Sequence, residues 1–136
     1  MPSLFADTLY WIAIANPRDP WAARARQSAR GRGLQVVTTE AVLVEFLDFV
    51  CEQGEHVRRS SAALFRSIIR SPRVNVVAVD SALFLRELEL YEARPDKGYS
   101  LVDCISMVTM RELRLRQVLS ADRHFAQEGF ETLLAR

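Results

Sequence analysis

Short apolar runs recur along this chain, and the stretches between them carry the three-to-four-residue hydrophobic spacing of helices. Val74–Val79 (VNVVAV) is the clearest strand: brief, β-branched and nearly all apolar, as a strand covered on both faces should be. Met1–Ala6, Leu34–Thr38 (LQVVT), Gln117–Ser120 and Phe130–Leu134 predict further strands. Helices fill the gaps. Thr8–Ala15 is stopped by Asn16-Pro17. A second helix opens at Asp19-Pro20, with Asp19 as N-cap and Pro20 at the first helical position; it carries Arg24, Arg26, Arg30 and Arg32 and ends near Gly31 and Gly33. Thr39 caps a third, which runs through AVLVEFLDFV to about Gln53, and Glu55–Ser71 forms a fourth, closed by Pro72. Ser81–Ala93, Ser100–Arg114 and Asp122–Glu128 complete the set, with Pro95–Tyr99 as a loop and Gly129 ending the last helix. Strands alternating with helices imply an α/β fold: a three-layer α/β/α sandwich around a mostly parallel central sheet. No repeat, low-complexity tract or long linker interrupts it, so residues 1–136 are read as a single domain.

Composition changes this picture little. At 136 residues, 49% of them hydrophobic, the chain has material for one core. A formal net charge of +1 does not advertise a polyanionic partner. Among the 18 basic residues, however, only Lys97 is a lysine, and the arginine fork suits phosphate and carboxylate alike. Cys51 and Cys104 have no C-x-x-C spacing, which predicts two reduced, buried thiols. There is no signal-peptide pattern and no apolar run near the ~18–20 residues of a membrane span, so a cytoplasmic protein is expected.

The candidate chemistry rests on Asp7, Glu45, Asp103 and Asp122. Active sites in open α/β sheets gather at the carboxyl ends of the strands. Asp7 ends the first strand and Asp122 follows the VLS strand by two residues, while Asp103 and Glu45 lie early in helices that face the same edge. Each has a plainer explanation. Asp7 and Asp122, taken alone, read as helix N-caps, and Ser100-x-x-Asp103 reads as a capping box with Asp in place of Glu. Glu45 interrupts an apolar helix between Val44 and Phe46, where a buried carboxylate needs a partner: a metal site or one of the arginines. Two unit charges about 4 Å apart repel by about 4 kcal/mol at an effective dielectric near 20. Four converging carboxylates therefore call for a hard divalent cation, Mg²⁺ or Mn²⁺, and such a site can activate water against a phosphodiester without a His, Cys or Ser nucleophile.

Four segments carry a resemblance: FADTLYWIA at 5–13, TEAVLVEFLDF at 39–49, YSLVDCISMVTMRE at 99–112 and LSADRHFAQEGF at 119–130. Together they resemble the PIN-domain family, and within it the VapC-like toxins of toxin–antitoxin pairs. The family's acidic positions fall on Asp7, Glu45, Asp103 and Asp122, in the family's order. The resemblance implies a Mg²⁺- or Mn²⁺-dependent endoribonuclease acting on structured RNA, with Asp7, Glu45 and Asp103 as core metal ligands and Asp122 helping at a second position. Thr8, Ser100 and Ser120 are then supporting polar neighbours, Ser120 standing where threonine is more frequent. The resemblance also implies a homodimer and a small antitoxin laid across the active-site groove. The alternative is a non-catalytic PIN-fold module that binds RNA or protein.

Other α/β readings fail on residues. A haloacid-dehalogenase phosphatase needs an acid two places after its nucleophile, where Leu9 stands; a receiver domain needs adjacent acids and a late lysine; a dinucleotide fold needs a glycine-rich turn where Asp7-Thr8-Leu9-Tyr10 follows the first strand. The arginines at 24–32 and the trio Arg111, Arg114 and Arg116 read as phosphate contacts or, more plainly, as solvated faces. Tyr10 and Trp11 read as core rather than as base-stacking groups. Phe46, Phe49, Leu64 and Phe65 read either as interior or as an exposed groove for an antitoxin, and His124 as a bystander.

Overall fold

The computed structural model of the chain describes residues 3–30 and 34–135. Strands β1 (Ser3–Ala6), β2 (Gln35–Thr39), β3 (Val74–Val77), β4 (Gln117–Leu119) and β5 (Glu131–Thr132) form one sheet in the order β3-β2-β1-β4-β5. Every pairing is parallel, with Ser3 opposite Gln35, Val36 opposite Val74, Phe5 opposite Val118 and Gln117 opposite Glu131. Helices α1 (Thr8–Ala15), α2 (Ala22–Ser28), α3 (Glu40–Val50), α4 (Glu55–Arg70), α5 (Ser81–Ala93), α6 (Leu101–Glu112) and α7 (Arg123–Gln127) connect and cover the strands, giving the α/β/α sandwich that the alternation predicts.

Because β1 is the central strand, Phe5 and Ala6 are fully buried and the chain leaves the sheet at Asp7 in the middle of its carboxyl edge. Val118 and Leu119 of β4 and Phe46, Met107, Met110 and Phe125 from the helices close the same core. Tyr10 and Trp11 belong to it: Trp11 is 2% exposed, and its Nε1 donates to Thr38 Oγ1 at 3.3 Å. Thr38 Oγ1 in turn donates to the Ala6 carbonyl, so a buried polar chain ties β1 to β2.

Several boundaries and environments differ from the sequence reading. β3 ends at Val77, and it is an edge strand with Asn75 exposed, not one covered on both faces. Its apolar composition reflects half-buried valines packed under α4. Helix α2 begins at Ala22 because Asp19 caps a turn instead, its Oδ1 accepting from Trp21 N at 2.8 Å. Gly31–Gly33, and Arg32 with them, lie outside the described residues. Helix α3 stops at Val50, short of Gln53, and Gly54 then turns the chain into α4 with φ +102°, a conformation that disfavours any side chain. Cys104 is buried as predicted, and burial pushes its thiol up to about 11, but Cys51 is exposed at the end of α3. Among the described residues no helix is long and apolar enough to cross a membrane.

Glu87 is a stability liability. It is 1% exposed in α5, and among the described residues its Oε2 has no hydrogen-bond partner. Burial, helped by the charge of Asp80, pushes its carboxyl above the usual range. A raised folded-state pKa contributes stability that is present at low pH and lost as pH rises through it. Glu87→Gln is therefore expected to stabilise the chain more at pH 8 than at pH 5, and urea denaturation at the two pH values checks this.

Candidate active site

The carboxyl edge of the sheet is where the four sequence-singled acids are carried. Asp7 occupies the N-cap position of α1 with extended backbone (φ −86°, ψ 170°), yet its side chain makes no cap hydrogen bond. It accepts instead from Ser120 Oγ at 2.9 Å, across the β1–β4 pairing. The cap explanation of Asp7 is thus not realised. For Asp122 it is: Oδ1 accepts from His124 N at 2.9 Å and opens α7. For Asp103 both halves of the capping box are present, Ser100 Oγ accepting from Asp103 N and Asp103 Oδ2 accepting from Ser100 N, each at 3.0 Å.

Glu45 sits half-buried in the second turn of α3, a helix set in place by Thr39, whose hydroxyl accepts from Val42 N at 3.1 Å. Its partner is Thr8, whose Oγ1 donates to Glu45 Oε1 at 2.5 Å. Among the described residues it forms no ion pair with an arginine, and the helix around it is less buried than its sequence suggests, Val44 being 56% and Phe49 59% exposed. Thr8, Ser100 and Ser120 thus each hold a different acid, and Ser120 Oγ also accepts from Asp122 N at 3.1 Å.

The acids feel one another. Asp7 is pushed up to about 7, chiefly by burial; the Thr8 amide and the Ser120 hydroxyl oppose the shift, and the charges of Asp103 and Glu45 add to it. Asp103 and Asp122 come together with a third residue, His124, one ligand atom from each lying within 4.8 Å of the others. His124 Nδ1 is 3.2 Å from Asp103 Oδ2 and 3.5 Å from Asp122 Oδ1. The sequence places His124 beside Asp122 but cannot show the turn that folds its ring over the start of α6. The shortness of α7 has a visible cause. Gly129, at φ +96°, ends α7 after five residues, with Gly129 N donating to Ala126 O and Phe130 N to Phe125 O, while the Phe125 and Phe130 rings pack edge to face at 6.4 Å.

Behind His124 lies another enclosed carboxylate, Glu128, with its side chain 4% exposed. Arg94 grips both its oxygens (2.9 and 3.2 Å), Arg111 Nη2 donates at 2.5 Å and the Tyr99 hydroxyl donates at 3.1 Å. Burial alone raises such a group, but these donors hold Glu128 below its ordinary value. Tyr99, pushed up to about 12 by burial and by its carboxylate partner, lays its ring against that of His124 at 5.2 Å. Arg111 is thereby committed to structure, its guanidinium also lying 5.6 Å from the Phe130 ring centroid. Arg114 and Arg116 border a cavity with Ser3 and Gln117, at the amino edge of the sheet and away from the acids. On the flank of α1, α3 and α4, the exposed Phe49 joins Ile12 and Val57 in a groove, whereas Phe46 is core.

Comparison with known proteins gives the arrangement a context. Over 127 residues, covering 93% of this chain and 95% of the relative, the chain is 27% identical to a 23S rRNA-specific endonuclease, VapC20, of Mycobacterium tuberculosis. The solved structure of M. tuberculosis VapC20, described as a sarcin–ricin loop cleaving toxin, superposes with a TM-score of 0.81 at 26% identity over 93% of this chain and 95% of that one. VapBC2 from Rickettsia felis, solved with a fragment of promoter DNA, shares the fold with a TM-score of 0.66 at 12% identity over 96% of both chains. FitAcB from Neisseria gonorrhoeae does so at 0.67 and 14% over 95% of both. A family model described as PIN domain matches residues 4–131, and the chain belongs to that family.

Proposed function

We propose that this chain is a metal-dependent endoribonuclease and the toxin of a toxin–antitoxin pair. The observation that carries the reading is the gathering of Asp7, Glu45, Asp103 and Asp122 at one sheet edge, with Asp7 sensing the charges of two of the others. The donor set fits a hard dication. It consists of carboxylate oxygens, and the repulsion that burial leaves at Asp7 is relieved by a positive charge. Asp7, Glu45 and Asp103 are the residues to hold the ion, with Asp122 at a second position. Bound there, Mg²⁺ or Mn²⁺ supplies a lowered water pKa and charge neutralisation at the phosphate.

The chain's own part is positioning. Ser120, Thr8 and Ser100 fix three carboxylates in orientations set by separate elements, so the cluster is organised before substrate arrives. Burial of Asp7 and Asp103 raises the strength of every charge interaction in the cleft. A ribonuclease reading, rather than a non-catalytic module, is favoured because all four acids are intact and individually held. The likeness to a protein named as a 23S rRNA-specific endonuclease makes ribosomal RNA the first substrate to try. An antitoxin is the proposed partner, its docking place the groove bordered by Ile12, Phe49 and Val57, and the chain is proposed to act as a homodimer in the cytoplasm.

Two measurements test this. In the metal-free chain, a raised Asp7 pKa stabilises the fold below the unfolded value of 3.8 and is lost as pH rises through about 7. The loss is about 4 kcal/mol. Asp7→Asn is expected to flatten that pH dependence, and Mn²⁺ to raise the melting temperature of the wild type more at pH 8 than at pH 6. For activity, purified chain is incubated with intact ribosomes and with total RNA, with Mg²⁺ or Mn²⁺ against EDTA, and new 5′ ends are mapped by sequencing. Cuts at few sites, present with metal and lost by at least about 100-fold in Asp103→Asn, are expected. Indistinguishable RNA from wild type and variant under every metal condition defeats the nuclease reading.

A further inference from the structure

The cluster at the mouth of the site is not made of oxygen alone. His124 brings a nitrogen into it, Nδ1 lying 3.2 Å from Asp103 Oδ2 and 3.5 Å from Asp122 Oδ1. The ring is held in place from two sides. Its own backbone N–H donates to Asp122 Oδ1, fixing the helix turn from which it projects, and Tyr99 packs against its face at 5.2 Å with an interplanar angle of 58°. Tyr99 is itself buried and tethered through its hydroxyl to Glu128. The imidazole is therefore aimed by a rigid support at the two carboxylates, with 22% of its side chain exposed.

The hydrogen bonds leave donor atoms free. Asp103 uses Oδ2 for Ser100 N, and Asp122 uses Oδ1 for His124 N. Among the described residues no protein donor reaches Asp103 Oδ1 or Asp122 Oδ2. One ligand atom from each of the three residues lies within 4.8 Å of the other two, and the 3.2 Å between His124 Nδ1 and Asp103 Oδ2 is the spacing of neighbouring ligands on an ion held at about 2.0–2.2 Å by each.

Building on the metal-dependent reading above, we infer that His124 Nδ1, with Asp103 and Asp122, forms a mixed nitrogen–oxygen cation position that selects a transition-metal dication over Mg²⁺. Imidazole is a poor ligand for Mg²⁺, which prefers oxygen and keeps its water; Mn²⁺ and the later first-row ions accept both donor types, with affinity rising along the series. The position thus gives the chain a metal preference that an all-carboxylate site lacks. Binding through Nδ1 leaves the proton on Nε2.

Mn²⁺ is the probe, because its binding is read by electron paramagnetic resonance without any substrate. Metal-free wild type, His124→Ala and Asp103→Asn are titrated with Mn²⁺ and, separately, with Mg²⁺ by calorimetry, and the Mn²⁺-loaded samples are measured by electron spin-echo envelope modulation. The expected result is ¹⁴N modulation of a directly bound imidazole in wild type that disappears in His124→Ala. With it goes a loss of at least about tenfold in Mn²⁺ affinity, the least that removing a ligand's outer support costs, while Mg²⁺ affinity is nearly unchanged. Mn²⁺ bound by wild type without the imidazole signature, or an unchanged Mn²⁺-over-Mg²⁺ preference in His124→Ala, overturns the inference while leaving the carboxylate site standing, provided Asp103→Asn still weakens binding. Failure of wild type to bind either ion overturns both. The wild-type spectrum alone decides the ligand question if the variant is poorly folded.

Discussion

Like charges brought together out of water repel, and the carboxyl edge of this sheet is organised around that repulsion. Two such charges at about 4 Å cost about 4 kcal/mol at an effective dielectric near 20. The chain meets the cost by anchoring each acid separately. Asp7 hangs from Ser120, Glu45 from Thr8, Asp103 from the Ser100 turn and Asp122 from the His124 amide of α7. Because the anchors sit on different elements, no single rotation lets the acids move apart. The apolar packing of Phe5, Phe46, Met107 and Phe125 beneath them opposes any larger spreading.

Glu128 shows what the same chain does with an acid it means to satisfy. That carboxylate's side chain is only 4% exposed, yet Arg94, Arg111 and Tyr99 surround it and its pKa falls. Asp7 receives one hydroxyl and a neighbouring amide, faces two further acids, and its pKa rises. The contrast lies in the donors supplied and in the deeper burial of Asp7. Seventeen of the chain's basic residues are arginines by the count of 18 less Lys97, and two of them are spent on Glu128 while none pairs with Asp7 or Glu45 among the described residues.

Features governed by local chemistry were legible in the residues. Helices α1 and α5 have the bounds their patterns predict, Thr39 caps α3, Ser100 and Asp103 close a capping box, and Gly129 stops α7. Features governed by distant packing were not. The valines of β3 say strand without saying edge, because strand order is set by how helices pack across the sheet. The Asp19-Pro20 start signal is outcompeted by a turn closed on Trp21 N. The exposure of Phe49 and Cys51 depends on how α4 lies against α3. At the site, the acids and their hydroxyl partners could be named from four short motifs, but not which hydroxyl serves which acid. His124 was hidden for the same reason: its neighbours are Asp103 and Tyr99, residues more than twenty positions away.

The ties at the site span very different lengths of chain. Ser100 reaches Asp103 within 3 positions, Thr8 reaches Glu45 across 37, and Ser120 reaches Asp7 across 113. Local closures form readily, whereas the longest must wait until the sheet has gathered β4 beside β1. The cleft is therefore complete only once β4 is paired with β1. Ser120, Asp122 and His124 all follow directly from β4, whose Val118 and Leu119 belong to the buried core, so loosening that strand removes the three together and opens the core as well. The acidic constellation is thus tied to the same core that holds the sheet together, and it exists only in a chain that has closed both.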